Sequence, residues 1–173
     1  QPIVKVGPGD LVDLGGLKAK LKDQSGTDGP APLVVLLHGR DGNEDQLAAL
    51  VPADLAVRVL AVRGAGGSAG KFRFYGPLSS APPVQLADSI RVAAAEVKKA
   101  IDAARLERPT SRVIVVGYSQ GASVAYDLAA RGLVDAVVVA AGYLPAPARP
   151  SAPTSTQIYA VHGASDANVA EAT

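Results

Sequence analysis

Ser119 sits in Gly117-Tyr118-Ser119-Gln120-Gly121, behind the β-branched run Val113-Ile114-Val115-Val116 and ahead of the helix-like stretch Ala122 to Arg131. A serine hydroxyl becomes a useful nucleophile when a tight strand-to-helix turn lifts it clear of a sheet, and GxSxG between a strand and a helix is the sequence form of that turn. Gly117 and Gly121 flank it, where a side chain would obstruct either the strained backbone or the approach of the helix. A chain with 18 glycines offers the pentapeptide chances to arise without purpose. The strand before it and the helix after it are what single it out.

Acyl transfer at such a serine passes through a tetrahedral oxyanion, which needs N–H donors aimed at the developing charge. Leu33-Val34-Val35-Leu36-Leu37 is a continuous apolar run, as expected of a strand buried on both faces of a parallel sheet, and it ends in His38-Gly39-Arg40-Asp41-Gly42. The backbone N–H groups of Arg40 and of Gln120, the residue after the serine, are the candidate oxyanion donors. Taken alone, the His-Gly pair reads as an ordinary glycine turn; beside the serine it gains a role. A third segment, Gln157-Ile158-Tyr159-Ala160-Val161, breaks at His162-Gly163 and delivers Asp166 to the loop at its carboxyl end. Open α/β sheets carry functional groups there, so Asp166 is the candidate for the acid that orients a histidine, against the alternative of a solvated loop aspartate.

The segments LLHGRDGN, GYSQGA and VHGASDANV resemble the signature segments of the phospholipase/carboxylesterase family, and AAGYLP after the next strand is similar to it too. The resemblance runs from about Pro30 to the end. It implies an α/β-hydrolase fold and hydrolysis of carboxylic esters or thioesters without a cofactor or metal, with Ser119 as nucleophile and Asp166 as acid. It also implies a catalytic histidine some tens of residues beyond that acid, whereas the sequence given ends at Thr173. The chain's two histidines, His38 and His162, both lie in His-Gly pairs at strand ends, where packed structural roles are expected rather than general-base work. The expectation is therefore that a C-terminal segment, as a further tail or a separate chain, supplies the histidine together with a last strand and helix. The alternative is a non-catalytic binding protein of the same fold that lacks the base.

The elements that must position these residues alternate. Ile3 to Val6 and Leu17 to Leu21 flank Gly-Pro-Gly-Asp and Gly-Gly turn signals and are expected to pair as an antiparallel entry hairpin. Strand Leu33 to Leu37, a helix from Glu44 to Leu50 and strand Val57 to Val62 follow. A long amphipathic helix from about Val84 to Arg105 carries Leu86, Ile90, Ala94, Val97 and Ile101 at spacings of three and four. Strand Val113 to Val116, helix Ala122 to Arg131, strand Ala136 to Ala140 and strand Gln157 to Val161 complete the series. Such alternation predicts an α/β fold in one domain over residues 1–173, a mostly parallel sheet with helices on both faces.

The stretch from Arg63 to Pro83 is expected to be irregular. Gly64, Gly66 and Ala69 fit a loose dinucleotide-binding pattern, but aromatic and proline-rich residues follow instead of a helix, which excludes that reading. Phe72, Phe74 and Tyr75, which include both phenylalanines of the chain, either border a substrate pocket or anchor the loop to the core. Arg40 and Arg73 would suit an anionic substrate or are simply solvated. Between Gly142 and Gln157, the 14 residues 143–156 are too few for a helical cap domain, which suggests an open site.

Net charge +1 gives no electrostatic reason to expect nucleic acid or an anionic membrane as partner; a small-molecule ester is the expected one. No apolar run approaches the roughly 18 residues of a membrane span. Zero cysteines exclude disulfides, thiolate metal sites and a cysteine nucleophile. The chain begins at Gln1 and contains no methionine, which a removed signal peptide or a renumbered fragment would explain, so the compartment stays open between cytoplasmic and exported.

Overall fold

Apolar runs that cannot face water on either side dictate the centre of the molecule. The computed structural model describes residues 10–24, 29–76 and 81–163. In it β3 (Ala31–Leu37), β4 (Arg58–Val62), β7 (Thr110–Tyr118) and β8 (Ala136–Ala140) lie side by side and parallel, with β9 (Gln157–Val161) parallel at the end. β1 (Leu11–Leu14) and β2 (Leu17–Asp23) join antiparallel at the other end, which gives the order β1-β2-β4-β3-β7-β8-β9. The expected mostly parallel sheet with an antiparallel entry hairpin is present. The hairpin partner differs: Leu17–Asp23 pairs with Leu11–Leu14 across Gly15-Gly16, both at positive φ, and Ile3 to Val6 lies outside the described residues.

Among the described residues, two α-helices pack on one face. Helix α1 (Pro83–Glu107) buries Leu86, Ile90, Ala94, Val97 and Ile101, the three-and-four stripe read from the sequence, and Ala104 one turn further on. Helix α2 (Gln120–Ala130) buries Ala122, Val124, Ala125 and Leu128 in the same cluster, with Leu33, Val35, Leu37, Val115, Val137 and Val139 of the sheet. Alternate residues Val34, Leu36, Val59 and Ala61 point to the opposite face, where Leu47 and Val51 cover them. The expected helix over Glu44 to Leu50, the cover of that face, is instead a run of turns closing in a 3-10 turn, Ala48–Leu50.

The reason is competition for its side chains. Asn43 Oδ1 accepts the N–H of Asp45, Gln46 Oε1 accepts the N–H of Gly39 at 2.8 Å, and the buried Glu44 carboxylate receives Arg63 through two bonds of 2.6 and 2.8 Å. Local side-chain bonds of the first kind offer the backbone an alternative to helix. The stretch expected to be irregular also contains a second small sheet, β5 (Gly66–Ser68) with β6 (Lys71–Arg73), turning through Ala69 and Gly70 at φ 51° and 81°. Two successive positive φ values are the hairpin turn whose twist suits paired strands.

At the amino ends of the strands Arg58, 2% exposed, donates to Asp23 at 2.8 Å and to the carbonyls of Ala104 and Arg108. A guanidinium there satisfies the C-terminal end of α1, whose last carbonyls have no intrahelical donors. No helix among the described residues is long and apolar enough to cross a membrane.

Candidate active site

Register brings the carboxyl ends of four strands to one level. Leu37 pairs with Gly117, Tyr118 with Ala140, and Ala140 with Val161, so the loops that follow β3, β7, β8 and β9 open together. Ser119 follows β7 at φ 51° and ψ −113° and forms the N-cap of α2. A non-glycine residue in that conformation is strained, and such strain persists only where the surroundings impose it. Here they do. The Ser119 N–H is held by the Ala140 carbonyl at 2.8 Å, and its carbonyl accepts the Ser123 N–H. A Cβ at Gly117 would stand 2.5 Å from the Gly121 carbonyl oxygen, and one at Gly121 would strike the carbonyl oxygen of Leu37. Helix, elbow and β3 therefore touch backbone to backbone.

The N–H of Gln120 belongs to the first turn of α2, whose donors lack intrahelical acceptors. Across from it, the loop after β3 spends its other donors on structure. Gly39 N–H goes to Gln46 Oε1, Asp41 N–H to the Phe72 carbonyl at 2.8 Å, and Gly42 N–H to the Gly39 carbonyl. Among the described residues none accepts the N–H of Arg40. Asp41, at φ 62°, turns the chain immediately after it.

His38 is 1% exposed and has both ring nitrogens engaged. Nε2 accepts the Gly64 N–H at 3.0 Å, which leaves the proton on Nδ1 to be donated to the Gly39 carbonyl at 2.6 Å. Its ring lies 4.7 Å from that of Phe74. Burial pushes its pKa below the ordinary histidine value, against smaller raising effects of the Gly39 carbonyl and Glu44. His162 follows β9, half-buried, at the level of the elbow. Asp166 lies outside the described residues, although the strand leading toward it ends two strands from β7, about 10 Å at ordinary strand spacing.

The three aromatic residues divide between anchoring and lining. Phe72 lies under the Arg63 guanidinium, 4.3 Å from its carbon, and bridges to Gly42, while Phe74 is buried in the core. Burial drives the pKa of the Tyr75 hydroxyl up to about 12, against the lowering influence of Ser123. Phe74 and Tyr75 also wall a cavity of about 350 Å³ against Gln85, Ser89, Val92 and Ala93 of α1. A larger cavity of about 560 Å³, lined by Arg105, Arg112 and Asp135, opens at the amino ends of β7 to β9. That is the wrong end of the sheet for the chemistry, because ligands of open α/β sheets sit outside the carboxyl ends.

The Gln120 side chain carries a role that sequence reasoning missed. Its Oε1 accepts the Phe74 N–H at 2.8 Å and its Nε2 donates to the Tyr75 carbonyl at 2.9 Å. Its one visible signal was a polar residue among the small and apolar ones of a buried helix start.

An alpha/beta hydrolase family model matches residues 34–170. Among solved structures, the chain is similar to a Bacillus cereus carboxylesterase, at 27% identity over 75% of this chain and 61% of that one, with a TM-score of 0.63. A dienelactone hydrolase-like promiscuous phosphotriesterase from metagenomic libraries is 25% identical over 87% of this chain and 64% of that one, with a TM-score of 0.62. An esterase with 20% identity, covering 86% of this chain and 75% of that one at a TM-score of 0.71, shares the fold. The chain thus spans less than two thirds of the length of the first two. No curated protein matches the sequence.

Proposed function

The chain belongs to the alpha/beta hydrolase family, and from that premise we propose that it is a serine hydrolase of carboxylic esters or thioesters acting through an acyl-enzyme on Ser119. The observation that carries the proposal is the strained Ser119, held at φ 51° between β7 and α2 at the carboxyl ends of the sheet. The Ser119 hydroxyl oxygen attacks the acyl carbon while its proton passes to a histidine. The N–H groups of Arg40 and Gln120 stabilise the oxyanion, and the alcohol or thiol leaves with the proton. Water then attacks the acyl-enzyme by the same route in reverse. Asp166 orients the histidine. The chain order Ser119 then Asp166 asks for that histidine after the acid, and His38 does not fill the role because both its nitrogens are engaged. Phe74 and Tyr75 border the substrate pocket through the cavity they wall, while Phe72 anchors the loop beneath Arg63. Similarity to a carboxylesterase supports the ester class.

The engagement of His38 favours one second reading, a binding protein of this fold without a general base. A fluorophosphonate separates the two, because an unactivated serine hydroxyl does not react with it. The full-length protein is expected to take one adduct on Ser119, and Ser119→Ala is expected to lose more than about 10⁴-fold in esterase kcat. Labelling of a different serine, or no labelling, refutes the assignment.

A further inference from the structure

The chemistry proposed for Gln120 uses its backbone N–H, which any residue at that position would supply. Gln120 is nonetheless only 7% exposed, and its amide is engaged at both ends. The orientation of the amide is fixed by its partners, since Phe74 offers only a donor there and Tyr75 only an acceptor. Two residues earlier on the same segment, Phe72 makes the reciprocal pair with the loop that carries Arg40. Asp41 N–H donates to the Phe72 carbonyl, and Phe72 N–H donates to the Gly42 carbonyl, each at 2.8 Å. The segment 72–75 thus runs from one proposed oxyanion donor to the other. It is bonded by backbone to the residue after Arg40 and by a side-chain amide to Gln120 itself.

We infer that the Gln120 side chain is a positioning residue, a latch that fastens segment 72–75 to the elbow and so holds the N–H groups of Arg40 and Gln120 at a fixed separation. The inference rests on the ester-hydrolase reading above. Stacking of Phe74 on His38, whose Nε2 in turn holds the Gly64 N–H, stiffens the middle of the bracket. Without the amide, the Phe74 N–H and the Tyr75 carbonyl lose buried partners and the segment is free to shift. An oxyanion hole is effective because its donors are preorganised, so a shift of this kind falls on the transition state rather than on substrate binding.

The test compares Gln120→Met, similar in length without hydrogen bonds, and Gln120→Glu, both in the full-length protein. Both keep the backbone N–H. Backbone amide exchange at Asp41 and Phe74 and steady-state hydrolysis of p-nitrophenyl acetate are measured across pH. For Gln120→Met, exchange at both amides is expected to rise about tenfold or more. Its kcat is expected to fall by about ten- to a hundredfold, less than the loss from deleting a donor, with KM within about threefold of wild type. The Glu side chain accepts from Phe74 in either state, but it donates to the Tyr75 carbonyl only when protonated and repels that carbonyl when ionised. The kcat of Gln120→Glu relative to wild type should therefore return as pH falls, and that of Gln120→Met should not. Unchanged exchange in Gln120→Met, a loss carried by KM alone, or no recovery of Gln120→Glu on acidification overturns the inference. Should Gln120→Met not fold, the pH-dependent recovery of Gln120→Glu decides alone. If the wild-type protein hydrolyses no ester, the proposed function fails. Faster exchange would then show a tie without a positioning role, which also overturns the inference.

Discussion

His38 shows how one residue type can suggest chemistry while doing structural work. Its Nε2 is the acceptor for the Gly64 N–H, so His38→Asn leaves that buried donor unpaired and is expected to cost about 1–3 kcal/mol of stability. Turnover should stay measurable, well above that of Ser119→Ala. His162→Asn is expected to behave alike, and loss of activity in a folded His162→Asn protein would move the general base to that residue. The buried imidazole also predicts a pH dependence. Because its pKa is lowered in the fold, the unfolded chain binds the proton first, and stability declines as pH falls below the ordinary value of 6.5 toward the folded value. Denaturant unfolding of wild type and His38→Asn between neutral and mildly acidic pH checks this, with a shallower slope expected for the variant. An equal slope in both places the proton elsewhere. At this scale the serine was legible from its flanks, since strand, glycines and helix are all local. Arg40 was legible only as a donor in a loop; what distinguishes it is that its neighbours' N–H groups are bonded to Gln46 and Phe72, contacts no local pattern announces.

Between strand and helix, the elbow depends on backbone contact between elements far apart in sequence. Gly121→Ala places a methyl against the carbonyls of Leu37 and His38, and the obstacle is main chain, which cannot rotate away. The expected loss lies at the upper end of the about 1–3 kcal/mol typical of overpacking, or beyond it, and activity should fall as the elbow deforms. Gly29→Ala, which meets nothing within 4 Å, is the control and should stay within about 0.5 kcal/mol of wild type. Chemical denaturation of the pair checks the prediction, and equal stability of both variants would show that the helix approach is not tight. The same dependence on distant contacts explains which elements the sequence disclosed. The core strands and both helices could be read because burial on both faces and a three-and-four stripe are written into consecutive residues. The segment 44–50 misled because Glu44 and Gln46 serve Arg63 and Gly39 rather than a helix face. The β5–β6 hairpin escaped notice because its turn places Ala69, not the usual asparagine or glycine, at the first positive φ.

Across the whole molecule, the two edges of the large sheet are built differently. β1 is four residues long and turns at once into β2, and charged residues, Asp13 and Lys18, face each other there at 3.7 Å. Short, charged edges resist further strand pairing. β9 has neither protection. Its five residues, Gln157 to Val161, carry no charge and are all exposed, with Ile158 at 49%, Tyr159 at 58% and Val161 at 65%. Among the described residues it pairs with β8 alone, so its outer N–H and carbonyl groups meet no strand. An uncharged apolar edge of this kind is a template for another chain. The 173-residue polypeptide is therefore expected to self-associate as its concentration rises, seen by light scattering on a sizing column. Ile158→Lys with Val161→Lys should reduce that association, because a lysine on each face of β9 must be desolvated when a second strand stacks against it. Leu106→Lys changes an 89% exposed leucine at the far end of α1 and should not alter the association. A polypeptide that stays monomeric throughout, or a double-lysine variant that associates as readily as its parent, would show that the β9 edge is not the surface through which chains meet.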